Sequence, residues 1–237
     1  MRYALHFALV LSVAFLLAVP LFAEAADSSP NSSKDTFVYN PPLRGAPSRR
    51  VGGATRGSGK ADFVLNVLAP DQTGLTTQAQ PILYWYASGP SATSVEVTVI
   101  ADVAEKPLLS KDFAVTPAGM LSIDLSKYGI TLKPDTDYEW FVSVVPDPEQ
   151  RSKDVTSGGT IRRVAADPAV MAQLASASER DVPKIYAEAG LWYDAIEALS
   201  RLIERKPGDQ ELRSQRAALL DQIGLPDAAK YDRAGSH

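Results

Sequence analysis

Side chains able to do chemistry are few in this chain of 237 residues, and they are nearly all of one kind. There is no cysteine, and the two histidines are His6, in an apolar N-terminal segment, and His237, the last residue. Ser-His-Asp and Cys-His nucleophile systems, histidine general bases and nearly all zinc and copper sites are thereby excluded. Carboxylates, lysines, tyrosines and hydroxyls remain. The densest acidic run is Asp147-Pro148-Glu149-Gln150-Arg151-Ser152-Lys153-Asp154. Asp147, Glu149 and Asp154 could converge on Ca²⁺, but the run lacks the D-x-D-x-D-G register and two cations intrude, so it reads as a solvated turn. Asp135, Asp137, Glu139, Asp147 and Glu149 supply enough acids for a glycosidase, which needs one acid of raised pKa facing a second carboxylate across a cleft. Nothing in the sequence identifies such a cleft. No catalytic residue, metal ligand or cofactor is expected.

The basic groups suggest contact rather than reaction. Arg44, Arg49, Arg50 and Arg56 lie in a glycine-rich stretch whose only charges are positive. It reads either as an arm for an acidic partner surface or as a linker; without a G-K-[ST] ending or a preceding strand, a nucleotide site is not expected. Arg162 and Arg163 interrupt a strand pattern. If Ile161 points inward, so does Arg163, and a buried arginine needs a carboxylate. The expected partner is Asp154 or Asp147, unless both arginines lie past the strand end.

Seven short segments with strand character would position these groups: 63–68, 82–86, 94–101, 108–115, 120–125, 138–145 and 155–164. Ser94 to Ala101 alternates cleanly, with Val95, Val97 and Val99 on one face. Turn signals separate the segments and no helical pattern intervenes. This spacing predicts an antiparallel two-sheet sandwich of immunoglobulin or fibronectin type over 62–165, with Trp85 and Trp140 in its core. From Asp167 the pattern turns helical. Helices are expected over 169–178, from 181–183 to Gly190, over 192–206 and 210–223, and from Pro226 onward. Gly190 and Gly224, like Ala195 and Ala229, stand 34 residues apart, the tetratricopeptide period. Residues 166–234 therefore read as a small tetratricopeptide-like tail on an α+β chain that is β first and α second. With under two repeats, the tail should pack on the sandwich or on a partner.

The first 25 residues read as a cleaved export signal: Arg2, an apolar run from Leu9 to Leu21, Pro20, and Ala23-Glu24-Ala25 at the cleavage site. An uncleaved anchor is the competing reading, since the run approaches the roughly 20 residues of a bilayer span. Residues 26–61 form a polar lead-in, with disorder expected at its start. About 210 residues remain after cleavage, enough for a real core without disulfides. The formal net charge of −4 does not favour nucleic acid as a partner, and no second apolar span follows.

Several blocks resemble a family of exported bacterial proteins described as domain of unknown function 928. They include Arg44-Gly45-Ala46-Pro47, Arg49-Arg50-Val51-Gly52-Gly53, Leu68-Ala69-Pro70, Asp137-Tyr138-x-Trp140, Ile161-Arg162-Arg163-Val164 and Tyr186-Ala187-Glu188-Ala189-Gly190-x-Trp192-Tyr193-Asp194-Ala195. The resemblance implies secretion and a shared fold, and carries over no catalytic residue. The expected function is non-catalytic: a periplasmic or secreted binding or scaffold protein. Its helical face around Tyr186, Trp192, Tyr193 and Leu199 would contact a protein partner, or a second copy of the chain. A carbohydrate- or peptidoglycan-associated module is the alternative, with Tyr84 and Tyr86 stacking on sugars opposite Trp85. A small hydrolase is a third reading.

Overall fold

Alternation at Val95, Val97 and Val99 places all three side chains in one buried layer, because successive strand residues face opposite ways. The computed structural model describes residues 37–42, 50–54, 63–91, 93–101, 106–114 and 116–235. In chain order the strands are β1 (Gly53–Ala54), β2 (Val64–Val67), β3 (Gly74–Thr76), β4 (Ile82–Ala87), β5 (Ser94–Ala101), β6 (Leu109–Phe113), β7 (Gly119–Asp124), β8 (Asp137–Val145) and β9 (Val155–Arg163). The helices are α1 (Pro168–Ser176), α2 (Val182–Glu188), α3 (Trp192–Arg205), α4 (Gln210–Gln222) and α5 (Pro226–Ala234). The chain is therefore α+β, with strands first and helices after. The seven expected strands are all present, and β9 runs unbroken through Gly158 and Gly159.

The strands form two sheets, in the orders β1-β2-β4-β7 and β3-β9-β8-β5-β6. Pairing is antiparallel except between β3 and β9, which run parallel with Gly74 opposite Ile161. Trp140, 0 % exposed, and Trp85 lie in the buried core, with Leu65, Val67, Val97 and Ile161 among their companions. Tyr138 is the second residue of β8, and its hydroxyl accepts a hydrogen bond from the Lys133 backbone N–H (3.0 Å), tying the strand to the loop before it.

The helices add a third layer. Every residue from Leu83 to Ala87 is buried, although a sheet with one wet face would alternate. Leu83 and Trp85 face one side of β4, and Tyr84 and Tyr86 the other. The Tyr86 ring lies 5.5 Å from that of Tyr231 in α5. Sheets and helices share one hydrophobic core, and Thr36–His237 form one compact unit, so packing is continuous across the change of secondary structure at residues 165–166.

Helix ends follow local chemistry. Asp167 and Asp209 cap α1 and α4, their carboxylates accepting from the N–H groups of Ala169 and Leu212. Gly190 and Gly224, both at positive φ, follow α2 and α4, and in each case the next helix begins two residues later. The same pattern continues beyond each glycine. Leu191 and Leu225 are buried, and Ala195 and Ala229 donate their N–H to the carbonyls of those leucines. Among the described residues no helix is long and apolar enough to cross a membrane.

Candidate functional site

The start of α3 carries the seam between helices and sheets. Trp192 is 0 % exposed and donates its indole N–H to the Leu68 carbonyl (2.8 Å). The Tyr193 hydroxyl accepts from the Trp140 indole (2.9 Å) and donates to the Thr160 carbonyl (3.0 Å). The Asp194 carboxylate accepts from the backbone N–H (3.0 Å) and hydroxyl (2.6 Å) of Thr77. One turn on, Glu197 accepts from the Ile82 N–H (3.1 Å) and holds Arg201 (2.9 Å). Burial pushes both the Tyr193 hydroxyl and the Asp194 carboxyl up, and the Thr77 and Thr76 hydrogen bonds oppose the shift at Asp194.

This geometry corrects the expected partner face. Trp192, Tyr193 and Leu199 are buried within the chain, and Tyr186 is half-buried against the same core. The apolar surface of Trp192, Tyr193 and Leu199 is spent inside the chain rather than offered to an outside protein. The sugar-stacking arrangement is corrected likewise: Tyr84, Trp85 and Tyr86 are all buried.

A strap before the first strand closes the seam. Phe37 and Tyr39 are buried, and the Tyr39 ring meets Trp192 edge-on at 4.9 Å. The Gln222 amide accepts from the Tyr39 N–H (2.9 Å) and donates to the Phe37 carbonyl (2.6 Å), while the Asn40 N–H donates to the Ala187 carbonyl (3.1 Å). A Cβ at residue 190 would sit 2.7 Å from the Asn40 carbonyl oxygen, so glycine is needed there for approach as well as for φ. Phe37 and Tyr39 alternate at strand spacing inside a stretch otherwise read as polar, which is the one sequence signal for this anchor.

Arg50 is a latch rather than a partner contact. Its guanidinium donates to the carbonyls of Ala69 (3.0 Å), Ile223 (2.9 Å) and Gly224 (3.3 Å), and lies 3.5 Å from Asp71. Burial lowers its pKa, and Asp71 opposes that. Arg44, Arg49 and Arg56, expected to act with it, lie outside the described residues. Beside the latch opens a cleft of about 490 Å³, walled by Tyr39, Pro41, Pro70, Gln72, Gln222 and Gly224. Its walls offer apolar rings and amides, and its one carboxylate, Asp71, is the one facing Arg50. Such a lining suits binding more than proton transfer.

The expected Arg163–Asp154 pair does not form. Arg163 donates to the Leu132 carbonyl (3.1 Å), whereas Arg162 points to the other face and pairs with Asp137, its cross-strand neighbour. Asp154 accepts from Arg151 (2.7 Å), which also reaches Glu96 (2.7 Å) and holds that carboxyl below its usual range. Asp147 accepts from the Glu149 N–H (3.0 Å) and the Gln150 amide (2.8 Å), so the acidic run closes on itself as a turn. No group of three or more histidine, aspartate or glutamate side chains able to hold a metal occurs among the described residues.

One apolar element remains uncovered. Helix α1, Pro168–Ser176, carries no charged residue and buries none of its side chains, and Met171 is 51 % exposed.

A family model described as Domain of Unknown Function (DUF928) matches residues 51–232, and the chain belongs to that family. No curated protein matches the chain.

Proposed function

We propose that this family member is an exported, non-catalytic binding protein of the bacterial cell envelope, which holds a protein partner through α1. The observation that carries the reading is the uncharged, unburied α1 on a chain whose other apolar helix faces are internal. Exposed apolar surface of this kind marks contact sites, and methionine adapts well to a partner's shape. Export is supported by Arg2, the apolar Leu9–Leu21 and Ala23-Glu24-Ala25. The glycine-rich arm with Arg44, Arg49 and Arg56 would add electrostatic attraction to an acidic partner.

The finer fold reading belongs to the same proposal. An immunoglobulin-like sandwich is supported by the strand orders β2-β4-β7 and β9-β8-β5, which match A-B-E and G-F-C, and by the Tyr138 hydroxyl bonded to the corner before its strand. A tetratricopeptide-like tail is supported by the matched roles of Gly190 with Gly224, Leu191 with Leu225 and Ala195 with Ala229.

The test is a photo-crosslinking residue at position 171 in the producing cell, with position 111 on the exposed face of β6 as control. The expected result is one dominant adduct from 171 that is absent from 111 and is abolished by Leu174→Asp at unchanged melting temperature. Equal adducts from both positions, or none from 171, would refute the role of α1. An adduct of twice the chain mass would replace the partner protein with a second copy.

A further inference from the structure

The strap, residues 37–42, lies on the helices as a bound peptide would. Burial alternates along it: Phe37 and Tyr39 are buried, while Val38, 40 % exposed, and Asn40 face outward, as in an extended chain. Among the described residues it pairs with no strand, and its hydrogen bonds run to α2 and α4. The Gln222 amide bonds the Phe37 carbonyl and the Tyr39 N–H, on either side of Val38, as a neighbouring strand does. Its Nε2 also donates to the Ala218 carbonyl (3.0 Å), which fixes the amide on α4. At the end of α2, the carbonyls of Ala187 and Glu188 accept from the Asn40 backbone N–H and side-chain amide, each at 3.1 Å. Helices α2 and α4 thus clamp main chain, and Trp192 receives one ring edge-on. A clamp of this kind selects an extended segment with aromatic residues at alternate positions and asparagine next.

The strap fills this groove imperfectly. Tyr39 is 7 % exposed, yet its hydroxyl has no hydrogen-bond partner among the described residues. A buried hydroxyl left so weakens the contact, and a phenylalanine ring avoids the loss. Tyr39 and Pro41 also wall the Arg50 cleft, so one flank of the strap is open to an incoming chain.

We propose that the strap is a displaceable internal occupant of a peptide groove, and that an extended segment of another protein, with phenylalanines two residues apart and asparagine next, takes its place between α2 and α4. The strap then acts as a built-in competitor: the groove's apparent affinity is its intrinsic affinity reduced by the fraction of molecules whose strap is out. The inference goes beyond the α1 reading and uses none of its residues, so loss of the crosslink at position 171 would leave it standing.

Fluorescence anisotropy tests it, with a labelled, end-capped peptide of residues 36–42 carrying Tyr39→Phe, titrated with the full chain. Phe37→Ala in the chain should bind the peptide at least tenfold more tightly than the unmodified chain, because truncating a buried ring loosens the strap. Tyr39→Phe in the chain should bind it roughly tenfold more weakly, because the competitor no longer buries an unpartnered hydroxyl. Alanine at both ring positions of the peptide should abolish binding. Equal affinity of the three chains would overturn the proposal, since the peptide would then sit elsewhere. So would the absence of saturable binding by Phe37→Ala up to about 1 mM peptide. Amide exchange of the unmodified chain gives a second reading that needs no variant. The Tyr39 and Asn40 N–H groups should exchange at least tenfold faster than that of Val142, fully buried in β8. Equal exchange, with the strap leaving only on global unfolding, would overturn the proposal. A dimer of the unmodified chain that the peptide dissolves would overturn the foreign partner in favour of a second copy's strap.

Discussion

Tyr193→Phe removes one oxygen atom and tests whether the helical layer and the sandwich are one structure. That hydroxyl receives the Trp140 indole N–H and donates to the Thr160 carbonyl, at 2.9 and 3.0 Å, in a buried setting. Phenylalanine keeps the ring and leaves no cavity larger than the lost atom. What remains is a buried indole N–H and a buried carbonyl that each lose a partner, at about 1–3 kcal/mol apiece, or roughly 2–6 kcal/mol together. With a urea m-value of about 2 kcal/mol/M, the unfolding midpoint should fall by about 1–3 M at unchanged slope. Tryptophan fluorescence is a suitable probe, because Trp85 and Trp140 report the sheets and Trp192 reports the helices. One coincident transition is expected in both proteins. A loss below about 1 kcal/mol would refute the reasoning, as would a biphasic transition with helices unfolding first. The same chemical change at Tyr84, whose hydroxyl has no hydrogen-bond partner among the described residues, is the internal control and should cost nothing.

Gly74→Ala should destabilise the chain by about 1–3 kcal/mol, because the new Cβ would sit 2.6 Å from the buried Tyr193 ring; a urea midpoint equal to that of the unmodified chain would contradict the close approach. Burial holds the Asp194 carboxyl above the ordinary carboxylate range, so its contribution is fullest below the unfolded pKa and is lost as pH rises through the folded one, the window opening near pH 4. Glu96, held low by Arg151, works in the opposite sense, so the difference between the chain and Asp194→Asn is what isolates Asp194. That difference should narrow as pH rises above 4 in urea titrations, and a constant offset would contradict the assignment.

Much of the fold was legible because the local signals are strong. The valine alternation of β5, the Pro-Asp turn before β8, the Asp167-Pro168 start of α1, the Asp181-Val182-Pro183 start of α2 and the glycines after α2 and α4 all act within a few residues. What escaped depends on distant chain. Strand β3 is three residues long and is held by parallel pairing to β9, far along the sequence. The strap at Phe37 and Tyr39 is fixed by Gln222 and Ala187, and no local pattern announces such partners. The arginine pair was misassigned for a related reason. Face alternation correctly separates Arg162 from Arg163, but whether an acid awaits on either face depends on register, and register put Asp137 opposite Arg162.

The two misread aromatic clusters share one physical cause. Residues 82–86 are apolar on both faces of a strand, and Trp192 to Leu199 present a wide apolar stripe on a helix. Each, taken alone, exceeds what its own element needs to bury, which invites a partner for the helix and, as the alternative reading, a sugar for Tyr84 and Tyr86. The excesses are complementary. Tyr84 and Tyr86 face the helices, while Trp192 and Tyr193 enter the end of the sandwich and bond to Leu68, Trp140 and Thr160. The core therefore spans both halves of the chain without disulfides. Helix α1 differs on the same test. It has no charge to keep it wet and no matching surplus elsewhere among the described elements, so its apolar surface, unlike that of α3, is left to face outward.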